Sequence, residues 1–556
     1  MKSRISLFDT TIFRKAVTRF LPLWLVYFAG GLLVMNSVMN SVMGDYHSFY
    51  AASHMGNSIG PLAIVNFIYA ALCAQMLFGD LFNPRLCNAI HAMPVRRETL
   101  FITHFVAGLA FSLIPNLVGI LLLMPGLGEY WYLGFMWLLG MELHFLFFFG
   151  LAVLCMFLTG NRFAMVAVYG ILNFLSMILC WFVDTIYQPL MYGSLIDIES
   201  FVRFCPVVQM VMDAEDFILM STSPNLFSST IRLEFEGFGD AWGYLAVTAV
   251  LGVAFAVLAL VLYRRRKLES AGDFMAFPPF APVFSVVYTL CIGAIFDMFG
   301  SIWGGHGAFL LVGLAVGFFT GQMLLRRTVK VFQGKSFLKL AILVVVLVAT
   351  MVATYFDPLG LTRWVPETDE VEYAVVEDHN AISEHSRDYA ELRHPESIDL
   401  VRDIHATLVK EGRTEIDYEA YTYVSIRYKL KSGRTVDLRY SIDKNHAAYD
   451  KVLEVVNTPE RILGASSLEQ LLEKAWRITG EKGKLDRSCY EGLLTALWQD
   501  CLEGNLYQRT EHHKGENPVF SFSISMKNDK YYHITIWECA EHTIKWLKEE
   551  KGIWIN

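Results

Sequence analysis

Two ionisable residues stand inside an otherwise apolar stretch, Glu142 and His144. A charge at that depth is costly in a membrane and ordinarily faces a cavity or a partner. The chemistry open to the pair is a polar contact with a substrate or a proton-linked switch. The plainer alternative is hydrogen bonding to a neighbouring helix. Two positions apart on a helix is a rotation of about 200°, so the two cannot line one cavity wall. Towards the C-terminus, His533, Cys539 and His542 could be drawn together as metal ligands, but their spacing matches no standard zinc pattern. His512-His513 is a turn-like pair and not H-E-x-x-H, and no G-x-S-x-G occurs. Gly334-Lys335-Ser336 matches the end of a phosphate-cradling loop, yet Val329 stands where the first glycine belongs. The chain is therefore read as no enzyme, with no catalytic residue, no metal and no cofactor of its own.

The elements that must carry these residues follow from composition. Of 556 residues, 54% are hydrophobic and 18% charged, against about 25% charged in soluble domains. The deficit is uneven. The first 357 residues hold 20 Lys+Arg and 19 Asp+Glu, and the remaining 199 hold 26 and 35. The acidic second half argues against a nucleic-acid partner. Nine segments are long and apolar enough to cross a bilayer: 21–39, 60–77, 102–124, 131–158, 163–183, 242–263, 282–299, 307–325 and 338–356. The second, seventh and eighth are short and rich in Gly or polar residues. With the N-terminus in the cytosol, 18 basic residues fall in cytosolic segments and only Arg203 and Arg232 fall outside. This predicts a multi-pass cell-membrane protein. It has a cytosolic tail (1–19), a nine-helix membrane domain (20–357) and an extracytoplasmic α+β domain (358–556).

Finer expectations attach to this frame. The outer connection 184–241 is either a short amphipathic helix around Phe217–Met220 or an ordered loop. Asn116, Asn173 and Gln322 read as helix–helix contacts, and Pro115 as a kink. In the second half, 421–430 with 435–442 and 520–526 with 531–537 read as hairpins. A helix over 395–411 closes at Gly412. Ser466-x-x-Glu469 and Ser488-x-x-Glu491 read as capping boxes, with Gly480 and Gly504 at helix ends. A Cys489–Cys501 disulfide is open to an external domain.

Between the second and third spans, Asn83 caps a short helix with Pro84 at its first position. Leu86, Cys87, Ile90 and Met93 recur at helical spacing, Pro94 stops the helix, and Arg96, Arg97 and Glu98 lead into the next span. The stretch is either an interface-lying connector or a docking surface for a cytosolic partner.

This segment, His91-Ala-Met-Pro-Val-Arg-Arg-Glu-Thr-Leu-Phe101, resembles the corresponding segment of ABC-2-type transporter permeases. Arg264-Arg-Arg-Lys-Leu-Glu-Ser-Ala-Gly-Asp273, Arg326-Arg-Thr-Val-Lys-Val-Phe332 and Phe356-Asp-Pro-Leu-Gly-Leu-Thr-Arg-Trp-Val-Pro366 are similar to a subgroup from Gram-positive bacteria that appends an extracytoplasmic C-terminal domain. The resemblance implies an exporter permease paired with a second copy or a sister permease in the lipid bilayer. It also implies a separate cytosolic ATPase that binds ATP and Mg. By that analogy the coupling segment comprises Asn83, Pro84, Arg85, Ile90, His91, Met93 and Pro94, flanked by Arg96 and Arg97. The other classes left open are a membrane sensor, whose outer domain binds a ligand and signals without transport, and a membrane-embedded enzyme.

Overall fold

The computed structural model describes residues 7–40, 54–187, 190–193, 201–217, 219–224, 231–237, 239, 241–302, 307–358, 360, 363–378, 391–412, 421–443, 446–456, 458–480, 483–506, 519–526 and 531–551. The chain divides into two compact units. One comprises Met1–Val183 with Ile198–Val346, and the other Asp184–Asp197 with Leu347–Asn556. The sequence boundary at 357 thus differs from the division at Leu347, which falls inside a continuous helix. The stretch Asp184–Asp197, assigned by sequence to the membrane half, belongs to the second unit.

In the first unit the helices run α1 (Thr10–Arg19), α2 (Leu21–Asn40), α3 (Ile59–Phe78), α4 (Pro84–His91), α5 (Arg97–Leu123), α6 (Trp131–Leu158), α7 (Arg162–Phe182), α8 (Pro206–Met212), α9 (Ala241–Arg265), α10 (Phe280–Ile302), α11 (Ala308–Arg326) and α12 (Gly334–Phe356), the last continuing into the second unit. Among the described residues eight helices are long and apolar enough to cross a membrane, and nine if α1 and α2, bent by 61°, form one span, against the expected nine or so. The tail 1–19 is not featureless, because Asp9 caps α1 by accepting from the Thr11 and Ile12 amides at 2.8 and 3.1 Å. Phe13, Val17 and Phe20 turn inward while Arg14, Lys15 and Arg19 stay exposed. The helix predicted as 282–299 is longer, at 23 residues, and the one predicted as 307–325 keeps its length of 19, shifted by one position.

The centre of this unit is α6, the most buried of the eight. Its neighbour α9 comes close enough for backbones to touch. A Cβ at Gly150 would lie 2.2 Å from the Gly252 carbonyl oxygen, and one at Gly252 would lie 2.6 Å from that of Leu146. Small residues at the crossing are how apolar helices gain packing where no hydrophobic drive separates them from lipid. α5 runs through Pro115 without a break. Proline deprives the carbonyl four residues back of its donor, and the Tyr69 hydroxyl donates to that Phe111 oxygen at 2.9 Å. Gln322 donates to Ser285 across α10 and α11 at 3.0 Å. Asn173 differs from expectation: its amide bonds the Tyr169 carbonyl of its own helix at 2.9 Å, a local acceptor no partner helix has to supply. The 184–241 connection holds α8 and an antiparallel pair, β1 (Leu219–Pro224) with β2 (Ile231–Gly237), so Leu219 and Met220 are strand and not helix.

The second unit has two sheets, each with helices on it. β3 (Val371–Asp378), β4 (Tyr421–Leu430) and β5 (Thr435–Asp443) form an antiparallel sheet in that order. Val424, Ile426 and Tyr428 alternate inward against Val401, Ile404 and Leu408 of the helix α13 (Pro395–Glu411) and Val452 of α14 (Ala447–Val456). The period-2 pattern buries one face. A second sheet orders β7 (Gly483–Lys484), β6 (Ala475–Gly480), β8 (Phe520–Met526) and β9 (Tyr531–Ile536). Both hairpins and the helix closed by Gly412 stand where sequence put them. The caps do not. Ser467, and not Ser466, accepts from the Gln470 amide, and Ser488 lies in a one-turn 3-10 segment ahead of the helix Tyr490–Leu502. Gly480 ends a strand, since 475–480 pairs with β8. Cys489 and Cys501 are buried and are not joined in a disulfide.

His405 of α13 sits in this core between the Tyr428 and Tyr440 rings, at 5.7 and 5.9 Å. Among the described residues neither ring nitrogen has a partner. Burial therefore pulls its pKa down to about 4. The unfolded chain takes up the proton first, near 6.5. Stability contributed by keeping the ring neutral is complete above pH 6.5 and falls as pH drops toward 4, by about 3 kcal/mol in all. Protection factors of the β4 and β5 amides in the full chain, taken relative to the intrinsic exchange rate at each pH, should fall between pH 7 and pH 5, and His405→Phe should remove most of that fall. The same fall in the variant would show that His405 is not its source.

Candidate functional site

The short helix α4 begins as its sequence dictates. The Asn83 side chain accepts from the Arg85 amide at 3.0 Å and Pro84 occupies the first helical position. The helix closes at His91, two residues earlier than expected, with Ala92 as cap. Met93 and Pro94 lie beyond it. The expected apolar face also splits. Cys87 is buried and Ile90 half-buried, while Leu86 and Met93 are 45% and 43% exposed. Arg85, Pro84 and Arg96 are exposed as well. The outward face of α4 is thus mixed apolar and cationic.

The inward face is tied to the end of α9. His91 Nδ1 lies 2.7 Å from the Cys87 carbonyl and Nε2 lies 2.9 Å from the Tyr263 hydroxyl. A carbonyl only accepts, so Nδ1 carries the hydrogen and Nε2 accepts from Tyr263. Burial, with Arg97 and Arg266 nearby, lowers the His91 pKa against the opposing Cys87 hydrogen bond. The ring is neutral at pH 7.

Arg97, expected to flank the docking segment, is half-buried and turned toward the chain's own backbone. Its Nη1 lies 3.1, 3.4 and 3.1 Å from the carbonyl oxygens of Tyr263, Arg264 and Arg266. Those carbonyls end α9 and lack helical donors, so the guanidinium caps the helix where its dipole is negative. The same cation lies 5.7 Å from the Tyr263 ring centroid. Glu98 pairs with Arg264 at 3.0 Å. Arg266 is buried and donates to the Met156 carbonyl at 2.8 Å. Burial pulls its pKa down to about 10, which leaves it cationic at neutral pH. Beside it the 272–276 stretch runs along the end of α6: Gly272 N–H donates to Gly160 O at 2.7 Å, and Ala276 N–H to Leu158 O at 2.8 Å. Tyr263 and Arg266 were missed as site residues. Their signal was weak, an aromatic at a span's end beside a run of basic residues.

Glu142 and His144 on α6 serve different neighbours. Glu142 accepts from Ser112 Oγ at 2.9 Å and from Asn116 Nδ2 at 3.0 Å, both on α5. Asn116 also reaches the Tyr27 hydroxyl at 3.2 Å, which donates to Asn66 Oδ1 at 3.1 Å. The network therefore joins α2, α3, α5 and α6. His144 is fully buried against the Phe217 ring, with no partner for either nitrogen among the described residues. The two residues are not brought together.

In the second unit the structure gathers Asp500, Glu503 and His542, whose ligand atoms lie within 4.8 Å of one another. Sequence reasoning considered His533, Cys539 and His542. His533 instead pairs across strands with Ser523 at 3.1 Å, and Cys539 Sγ lies 3.2 Å from the Asn505 carbonyl. Asp500 is already committed. It accepts from the His542 and Thr543 amides and from Thr543 Oγ1, capping the helix Glu541–Lys551. His542 lies 3.0 Å from Glu503. Gly334–Ser336 form the first turn of α12.

Removing the Arg97 cap should leave three carbonyls short of a donor. A hydrogen bond to a charged group contributes about 1.5–3 kcal/mol. Arg97→Ala should therefore speed amide exchange in the last turn of α9 about tenfold or more, while Arg96→Ala should leave it unchanged. Equal effects of the two would contradict the cap.

Compared with known proteins, the chain matches no family model, no curated protein and no solved structure.

Proposed function

We propose that this chain is the membrane-spanning permease subunit of an ABC transporter, an exporter, driven by a separate ATPase that docks on α4. The observation that carries the reading is the construction of α4. It is capped at Asn83, presents Arg85, Leu86 and Met93 outward, and is fastened inward by His91 to Tyr263. An exposed face on a firmly seated short helix is what a transmitting contact requires, since a loosely held one would move without moving anything else. The fastening runs to α9 as well as along the chain into α5 through Arg97. Displacement of α4 would then reach the third and sixth expected spans together, as rigid-body motion. The distribution of basic residues supports a cytosolic N-terminus and an extracytoplasmic second unit. ATP and Mg belong to the partner subunit, and a second copy or sister permease completes the path.

The alternative reading is a membrane sensor whose outer domain binds a ligand. A cavity of about 510 Å³ within the second unit favours it. ATPase binding separates the two. Co-purification with the candidate ABC ATPase should succeed. Arg85→Glu and Leu86→Asp, both at exposed positions, should each weaken it about tenfold, or about 1.4 kcal/mol. They should also uncouple ATP hydrolysis from transport. Absence of binding by the intact chain, or binding indifferent to both substitutions, would remove the transporter reading.

A further inference from the structure

The second unit contains a cavity of about 510 Å³ at the end of α12. That volume lies in the range of sites for small molecules, about 300–1,000 Å³. Its apolar lining comes from Leu190, Tyr192, Tyr355 and Phe356. Its charged lining is Arg363, Lys410 and Asp357, a net positive set.

The backbone places both cations. After α12 the chain turns sharply. Asp357 has φ 42° and Gly360 φ 63°, Gly360 N–H donates to the Asp357 carbonyl at 3.0 Å, and Arg363 N–H to the Gly360 carbonyl at 3.2 Å. The turn folds Arg363 back beside the helix it has just left. Lys410 stands in the last turn of α13, ahead of Gly412 at φ 69°. Among the described residues neither Arg363 nor Lys410 has a carboxylate partner, and both side chains are exposed.

The apolar lining continues the surface of α12. The apolar stretch of that helix buries none of its residues within the protein. Tyr355 and Phe356, which line the cavity, are 57% and 66% exposed. Aromatic residues at the end of an apolar helix mark the membrane–water boundary. The cavity therefore has an apolar approach at the level where a lipid headgroup sits and two unpaired cations to receive a negative charge.

We propose that this cavity binds an anionic amphiphile drawn from the membrane leaflet in which α12 ends. Its acyl portion lies along Tyr355 and Phe356, and its phosphate or carboxylate lies between Arg363 and Lys410. The proposal stands apart from the ATPase reading, because it rests on α12 crossing a membrane and on this cavity alone.

The test uses the full chain in phosphatidylcholine vesicles doped with a trace of diazirine-bearing phosphatidylglycerol or, separately, diazirine-bearing phosphatidylcholine. Lipid in the bulk bilayer will label α12 in either case, so the readout is the soluble-helix peptide containing Val409 and Gly412. It should be labelled by the anionic probe well above the zwitterionic one. Unlabelled phosphatidylglycerol should compete, and inorganic phosphate should not. Arg363→Gln with Lys410→Gln, at two exposed positions, should lower the label about tenfold while gel-filtration behaviour stays that of the parent. An unlabelled peptide, equal labelling by both lipids, or label unchanged in the double variant would overturn the proposal. Suppression by inorganic phosphate would overturn it in favour of a free-anion site.

Discussion

Inside an apolar medium every backbone carbonyl needs a donor from the protein itself, because water is not there to supply one. Much of the first unit follows from meeting that demand where helices are interrupted or end. Pro115 leaves the Phe111 carbonyl without its amide, and Tyr69 supplies a hydroxyl from α3. α9 ends with carbonyls exposed, and Arg97 supplies a guanidinium from the start of α5. The end of α6 is met by Arg266 and by the backbone of 272–276. Each solution is also a tertiary contact. The helices are thus joined at points fixed by the accounting of polar groups, while the apolar surfaces between them are left to close packing such as that of Gly150 on Gly252.

This sharpens the meaning of the charge pattern. Basic residues clustered at one set of helix ends are commonly read only as topological signals. Here several are spent on structure. Arg97 and Arg266 are turned toward carbonyls, and Arg264 pairs with Glu98. Arg85 and Arg96 are exposed and outside this network. A cation that is already committed cannot recruit a partner without breaking what it holds. The division of labour among adjacent arginines therefore separates the exposed part of the 84–97 segment from the part tied to the end of α9.

What was legible in the sequence was local. The cap of α4 needs only Asn83 and Pro84, and the hairpins of the second unit need only alternation and a turn. The helix 395–411 needs only its period and Gly412. What was not legible depended on tertiary neighbours. Nothing about Arg97 distinguishes it from Arg96 until α9 is placed beside it. Ser466 and Ser467 are equivalent candidates until the chain's direction into the helix is fixed. Gly480 reads as a helix end until β8 pairs with the strand it closes. The bend between α1 and α2 was missed because hydropathy averages over it. The helix before the bend is amphipathic and the one after it is not, and a windowed sum sees only the latter.

The stretch Asp184–Asp197 carries the same lesson to the level of units. Sequence treats it as a loop between two apolar helices. In the fold Tyr192 packs on Tyr440 of β5 at 5.1 Å, and Gly193 takes φ +80° with Tyr440 so near that a Cβ would lie 2.6 Å from its hydroxyl. The second unit therefore completes its first core with residues that precede the main body of that unit by more than 150 positions. The chain crosses between the units at three places instead of one, and one of those crossings is the uninterrupted helix α12. A module added at the end of a chain by a single linker can fold without reference to what precedes it. In this one, part of the packing on Tyr440 comes from the connection after α7, through Tyr192, and the rest from the C-terminal stretch, through His405.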